Sequence, residues 1–217
     1  MVLHELLRQE GLGGLTTHSC PRCPRGVKTV PTFRCRDCSP NVLLCRKCCI
    51  EQHQIAPFHR VDVSSLASRR RRTSLRFWQS WNGVYFEEIT LRDLGVVIQL
   101  GHQPGQPCRA PYRAPQMFLV IHTNGFHPVT IQFCQCGQLQ DSGTRIQQLL
   151  RYKLFPATTT DPSTCCTFAV LKQFHLLTLQ SKVSLYDFYA SLEKLTDNTG
   201  VGVRYVSLRS IHVMSII

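Results

Sequence analysis

The sequence predicts an α+β chain in two parts: a small cysteine- and histidine-rich finger, then a β-hairpin domain with two or three amphipathic helices. Three observations carry that prediction. Three C-x2-C pairs followed by two spaced histidines fall between Cys20 and His59. Two apolar runs rich in β-branched and aromatic residues flank N-G at Asn124-Gly125, and the second ends in C-Q-C at Cys136. Beyond Thr144, apolar residues recur at helical spacing between helix start and stop signals.

Two thiolates in a C-x2-C turn can reach one tetrahedral Zn²⁺ at about 2.3 Å. Cys20, Cys23, Cys35, Cys38, Cys45, Cys48, His53 and His59 supply eight ligands, enough for two closed sites with no open position, the mark of structural zinc. Spacing alone leaves the wiring open. An interleaved arrangement joins Cys20, Cys23, Cys45 and Cys48 at one ion, and Cys35, Cys38, His53 and His59 at the other. A sequential one joins Cys20, Cys23, Cys35 and Cys38, then Cys45, Cys48, His53 and His59. The pattern resembles the cross-braced B-box and ZZ-type fingers, and that resemblance implies interleaving. Cys49 is expected to be a spare thiol. A disulfide framework is the competing reading, but no secretory signal is expected here and histidines interleave the cysteines. Phe33 and Val42–Leu44 offer the few apolar side chains such a minidomain packs. Its folding would be driven by metal binding, worth about 10–16 kcal/mol in comparable peptides.

The 217 residues leave room for one ordinary domain and one small one. A hydrophobic share of 43% argues against wholesale disorder. Met1–Glu10 contains acidic residues and only a short apolar stretch, unlike a secretory or mitochondrial signal. The longest apolar run, Met117–Ile121, is far too short for a membrane span. The net charge of +12 favours polyanionic partners, nucleic acid foremost. Candidate phosphate contacts are Arg22, Arg25, Lys28, Arg34, Arg36, Arg46 and Lys47 in the finger, with Arg69, Arg70, Arg71 and Arg72 beyond it. That tetra-arginine run sits in a serine- and arginine-rich stretch, expected as a linker over 61–80 and a candidate nuclear-localisation patch. Catalysis is not expected. Two-metal phosphodiester cleavage needs clustered carboxylates, whereas the 13 acids are scattered and Glu87-Glu88 is the only adjacent pair. A small-molecule substrate is not expected either.

Trp78, Trp81, Tyr85 and Phe86 read as core anchors, since few basic residues interleave them. A strand is expected from Val96 to Leu100, and the proline-rich C-R-A-P-Y-R-A-P-Q after it as loop. Asn124-Gly125 suits a type I′ hairpin turn. On a strand, residues i and i+2 face one side, so Cys134 and Cys136 can share an ion. His127 has the opposite parity, which leaves His102 and Cys108, from G-H-Q-P-G-Q-P-C, as the better partners for a third zinc. His122 reads as structural. Helices are expected over Thr144–Lys153, over Thr167–Lys182 with Phe168, Leu171, His175 and Leu179 on one face, and over Ser184–Lys194 with Leu185, Phe188, Leu192 and Leu195 along it. His175 is expected in the core, and Cys165 and Cys166 in capping or packing roles.

Several strings together resemble one family: L-L-R-Q-E-G, F-R-C-R-D-C, P-F-H-R, W-N-G-V-Y-F, I-Q-L-G-H, I-H-T-N-G-F-H-P-V-T-I-Q-F-C-Q-C, Q-Q-L-L-R, F-P-A-T and F-H-L-L-T-L-Q-S-K-V-S-L-Y-D-F-Y followed by T-D-N-T-G. They are similar to the second type of C-x-C cysteine cluster domain. That domain precedes the catalytic region of Kyakuja–Dileera–Zisupton (KDZ) transposases, a group expanded in mushroom-forming fungi. The resemblance implies zinc held by Cys108, Cys134 and Cys136 with His102, a role in recognising DNA or chromatin, and a nuclear location. It departs from the family pattern at Val61–Ser80, which separates P-F-H-R from W-N-G, and at 201–217, where the family runs on into its catalytic domain. The expected organisation is a finger (1–60), a basic linker or insertion (61–80), a cysteine cluster with its hairpin (81–140), helices (141–200) and an aberrant tail (201–217). The expected function is that of a zinc-binding, non-catalytic module of such a transposase that binds DNA or chromatin. A peptide- or histone-binding module and a non-functional transposon fragment are the alternatives.

Overall fold

The computed structural model describes residues 1–11, 15, 18–24, 27–64, 86–103, 106–115, 117–137 and 142–198. It divides into two compact units, Met1–Val96 and Val97–Ile217.

The first unit opens with helix α1 (Val2–Glu10), whose Leu3, Leu6 and Leu7 are exposed. Strand β1 (Phe33–Cys35), helix α2 (Arg46–His53), β2 (Val61–Ser64) and β3 (Phe86–Ile89) follow. The three strands form an antiparallel sheet in the order β1-β2-β3, with Cys35 opposite Val61 and Val61 opposite Ile89. Val61–Ser64 is therefore not the start of a linker but the central strand of this sheet. The alternation V-D-V reads as polar-rich, yet Val61, Asp62 and Val63 are all buried. What makes this possible is charge pairing. Asp62 is fully buried, and its carboxylate accepts from Arg34 Nε at 2.9 Å and pairs with Arg36 Nη2 at 2.7 Å. Arg34 lies 3.6 Å over the Phe86 ring, and its Nη1 donates to the carbonyls of Gln9 and Gly11, capping the end of α1. The small core gathers Phe33, Leu44, Val61, Val63, Leu91, Leu94 and Val96 around the cysteines.

The second unit holds a six-stranded mixed sheet in the order β4-β7-β6-β9-β8, with β5 also pairing β7. Its strands are β4 (Val97–Gln99), β5 (Pro111–Arg113), β6 (Phe118–His122), β7 (Gly125–Cys134), β8 (Leu154–Pro156) and β9 (Thr164–Thr167). β4 runs parallel to β7 and β6 parallel to β9; the remaining pairs are antiparallel. Pro111–Arg113, expected as loop, is an exposed strand. Proline is tolerated there because it removes only one donor from an outer strand. The expected β6–β7 hairpin forms, but its turn is Thr123-Asn124, with Gly125 already opposite His122. Asn124 is not among the described non-glycine residues with positive φ, so the turn is not type I′. Gly125 serves another purpose. At φ +129 it lets the end of the last helix approach, where a Cβ would meet Thr196 Oγ1 at 2.5 Å. That hydroxyl accepts from Phe126 N–H at 2.8 Å.

Helices α3 (Arg145–Arg151), α4 (Phe168–Ser181) and α5 (Leu185–Thr196) complete the unit, with Thr144, Thr167 and Ser184 as side-chain N-caps. Helices α4 and α5 pack on Leu119, Ile121, Phe126 and Cys166 through Val170, Leu171, Phe188, Tyr189 and Leu192. The buried stripe of α4 thus runs through Val170, Leu171, Phe174 and Leu177; Phe168 and Leu179 are exposed, and His175 faces outward rather than into the core. A nearly all-round apolar sequence at this helix hides which stripe faces the sheet. Phe118, Val120 and Cys165, on the alternate positions of β6 and β9, are buried as well. Burial on both faces explains the unbroken apolar run of β6.

Removing the Asp62 carboxylate leaves Arg34 charged and buried without its partner, which destabilises by about 3–5 kcal/mol in comparable pairs. Asp62→Ala is therefore expected to lower the unfolding free energy of the first unit, read by chemical denaturation, by that order, while Glu88→Ala, at an exposed partner of Arg36, changes it by under about 1 kcal/mol.

Candidate metal centres

Among the described residues, three groups of four side chains converge, each with its ligand atoms within 4.8 Å of one another: Cys20, Cys23, Cys45 and Cys48; Cys35, Cys38, His53 and His59; His102, Cys108, Cys134 and Cys136. In the finger this is the interleaved grouping, not the sequential one.

Helix α2 is what interleaves them. Cys45 is its N-cap and Cys48 lies in its first turn, while His53 is its last residue, so one helix brings ligand atoms to both finger clusters. The helix N-terminus favours thiolate at Cys45 and Cys48. The C-P-R-C turn is closed by Cys23 N–H donating to the Cys20 carbonyl at 3.2 Å. Cys23 Sγ then stands 3.6 Å from Cys45 Sγ and 3.7 Å from Cys48 Sγ. A ZnS₄ tetrahedron with bonds of about 2.3 Å has edges of about 3.8 Å, so these separations fit one ion.

The second cluster is built from the end of β1 and the end of α2. Cys35 Sγ lies 3.5 Å, and Cys38 Sγ 3.3 Å, from His59 Nδ1; Cys38 Sγ is 3.7 Å from His53 Nε2. The two histidines offer different nitrogens. His53 is fully buried, and its Nδ1 lies 2.7 Å from the Cys49 carbonyl, which fixes the proton on Nδ1 and frees Nε2 for a cation. His59 is held through its neighbour: Arg60 N–H donates to Asp37 at 2.6 Å, and the Arg60 carbonyl accepts from Arg36 N–H. Cys49 is buried beside His53 and belongs to neither cluster; burial pushes its thiol up to about 12.

The third cluster joins the loop after β4 to the end of β7. Cys108 Sγ and Cys136 Sγ are 3.4 Å apart, and Cys136 N–H donates to Cys134 Sγ at 3.2 Å. His102 Nε2 is buried without a hydrogen-bond partner, an orphaned lone pair or N–H that a cation would explain. Gly101 holds φ +77, and a Cβ there would meet the Cys134 Cβ at 2.6 Å, so only glycine lets the His102 loop come this close. His127 and His122 stand apart from the cluster, one bonded to Asn124 Oδ1 and the other to Thr167 Oγ1.

Electrostatics points the same way. Burial holds the Cys35 thiol up at about 12 and the Cys134 thiol up at about 11, and raises Cys48 too. Cys45 is also buried, yet the Cys48 backbone N–H and the nearby Thr29 and thiol groups bring it down to about 7, while Cys108 and the Ala110 backbone bring Cys136 to about 6. Crowded thiols of this kind cannot all ionise alone; a divalent cation stabilises every thiolate at once. Cys165 and Cys166, by contrast, are buried on β9 and raised by desolvation, as packing residues.

Sequence reasoning misses the outer contacts. Gln52 Nε2 donates to Cys38 Sγ at 3.3 Å, and Thr29 Oγ1 lies 3.0 Å from Cys23 Sγ. Nothing in their type marks them; only proximity to His53 in the chain hints at Gln52. The basic candidates divide. Arg34 is buried in the Asp62 pairing and is not available to phosphate. Arg36 is paired with Asp62 and Glu88, Arg22 donates to Gln52 Oε1, and Arg46 donates to the Leu94 carbonyl. Lys28 is exposed, and Lys47 is exposed with only a 4.0 Å contact to Glu51. Arg25, Arg69, Arg70, Arg71 and Arg72 lie outside the described residues, as do Trp78, Trp81, Tyr85 and the 201–217 tail.

Residues 91–200 match the family described as a CxC2-like cysteine cluster associated with KDZ transposases. The chain belongs to that family. The match takes in all four residues of the third cluster and helices α3, α4 and α5, so in this CxC2 domain the C-x-C motif is Cys134–Cys136. No curated protein and no solved structure matches the chain. No helix among the described residues is long and apolar enough to cross a membrane.

Gly101→Ala is expected to destabilise the second unit by about 1–3 kcal/mol, from the left-handed backbone and the collision with Cys134. Gly11→Ala, where a Cβ meets nothing within 4 Å, is the comparison and is expected to leave the unfolding free energy unchanged to within about 0.5 kcal/mol.

Proposed function

We propose that this chain is a zinc-stabilised, non-catalytic module of a KDZ-type transposase that engages DNA or chromatin through its basic surface. The observation that carries the metal half of this reading is the convergence of three complete Cys/His quartets, with S···S and S···N separations that suit a tetrahedral ion. Each quartet fills four positions with protein side chains, which leaves no open position for a substrate water and supports structural rather than catalytic zinc. The residues present fit the ion: buried thiols, an orphaned His102 nitrogen, and His53 with its proton fixed away from the cluster. Zinc bound there would supply folding energy, of the order of 10 kcal/mol per site.

Nucleic acid is the proposed partner because positive charge exceeds negative by twelve and Lys28 and Lys47 stand exposed on the finger, with Arg22 and Arg46 beside them. Binding of this kind neutralises phosphates and discriminates little between sequences. A nuclear location follows from that partner. A peptide- or histone-binding role is the second reading, favoured by the exposed Phe168, Leu176, Leu179, Tyr186 and Leu195 on the two long helices.

Fluorescence anisotropy with duplex DNA of two unrelated sequences tests the choice. Similar affinities for both, falling linearly with the logarithm of salt at a slope of about −0.9 per phosphate neutralised, support DNA binding. Lys28→Ala/Lys47→Ala should weaken both sequences alike and flatten that slope by about one for each phosphate left without its lysine. No DNA binding, with histone-peptide binding that survives high salt, would favour the second reading.

A further inference from the structure

The end of β7 poses a local problem. Cys134 must be held firmly enough for its sulfur to meet Cys108, Cys136 and His102; on one edge β5 pairs it with Pro111, but on the other β4 pairs β7 only as far as Gln132, which leaves the Cys134 N–H and carbonyl on that edge without a strand. Gln148, on α3, fills the gap. It is 2% exposed, and its side-chain amide grips Cys134 at two points: Oε1 accepts from Cys134 N–H at 2.8 Å, and Nε2 donates to the Cys134 carbonyl at 2.9 Å. Nε2 also donates to the Gly143 carbonyl at 3.1 Å, which ties the grip to the loop that starts α3. A primary amide carries a donor and an acceptor side by side, spaced like those of a peptide group, and so can replace a strand neighbour. The Gly101 backbone closes the far side, where its Cβ position lies 2.6 Å from Cys134 Cβ and 3.4 Å from Gln148 Oε1.

We propose that Gln148 is the positioning residue of the third centre: its amide fixes the Cys134 backbone in ligating register, so that metal affinity at this centre depends on α3. This rests on the metal-binding reading of the third cluster. Helix α3 is short and carries a capping box in which Thr144 and Gln147 satisfy each other's backbone groups. Its second glutamine, Gln148, turns inward to the cysteine instead. Two adjacent glutamines thus do different work, one starting the helix and one holding the ligand. Contacts that orient a metal ligand from outside the coordination sphere are worth about 10–100-fold in affinity.

Cadmium NMR of the full chain separates the centres, because the three clusters offer four, two and three thiolates and the cadmium shift reports thiolate number. Gln148→Leu is expected to shift or abolish the three-thiolate resonance and to weaken that centre about 10–100-fold in a chelator competition, with the other two resonances unmoved. Gln147→Ala, which removes only the capping partner, is expected to leave all three resonances in place. Should Gln148→Leu fail to fold, Gln148→Glu decides. It keeps the acceptor for Cys134 N–H and, once its carboxyl is ionised, removes both donors, so its three-thiolate resonance is expected to shift as the pH is raised through that ionisation. An unchanged three-thiolate resonance in the Gln148 variants, or an equal change in Gln147→Ala, overturns the proposal. A wild-type chain that shows the other two resonances and no three-thiolate signal overturns it together with the metal reading of the third cluster.

Discussion

The structure depends on the crowding of thiols. Each quartet packs its sulfur and nitrogen atoms within 4.8 Å of one another, and half of the ligand residues across the three are buried. Without a cation that arrangement is poor in two ways: burial disfavours the thiolate at Cys35, Cys48 and Cys134, and neighbouring thiolates repel. With a divalent ion the same proximity becomes the source of cohesion. Little else in the finger can serve. Its apolar core is a handful of side chains, and its remaining polar interior is the Asp62 pairing with Arg34 and Arg36. Loop, helix and sheet meet there because α2 delivers Cys45 and Cys48 from one end and His53 from the other.

The second unit divides the labour differently. Its sheet and the two long helices bury an ordinary apolar core around Ile121, Phe188 and Leu192, so the third cluster sits at the edge of a fold that has other support. A cluster of that kind tunes the end of one strand rather than nucleating the whole. It brings Gly101, His102, Cys108 and the C-x-C pair into one corner, where Gln148 backs the strand end. Bound metal would accordingly matter unequally: the finger would depend on it to fold, and the second unit only at that corner.

Much of this is legible in the sequence, because metal ligands are few, reactive and set by spacing. The C-x2-C turns and the parity of Cys134, Cys136 and His127 along a strand point to the same quartets that the structure assembles. The resemblance to cross-braced fingers singles out the interleaved grouping. Other features are hidden for reasons that are equally physical. V-D-V reads as the start of a linker because the serine- and arginine-rich run that follows dominates the composition; only Arg34 and Arg36, on β1 and just after it, make Asp62 a core residue. N-G at 124–125 signals a type I′ turn, but the glycine is used one position later, for the approach of Thr196. P-Y-R reads as loop because proline ordinarily ends strands, and an outer position tolerates it. On α4 the apolar residues are too many to show which stripe is buried, so periodicity puts His175 on the wrong side. Gln148 carries no signal at all, since a glutamine in a polar helix is the blandest of residues until its strand partner is known.

Zinc, in the proposed reading, would hold this chain together through three quartets. Native mass spectrometry of the full chain, paired with circular dichroism before and after exhaustive chelation, tests it most directly. Three zinc ions per chain are expected, two in a Cys134→Ser/Cys136→Ser variant, with loss of the finger's ordered signal when the metal is stripped. A chain that carries no zinc and keeps its full spectrum after chelation would contradict it.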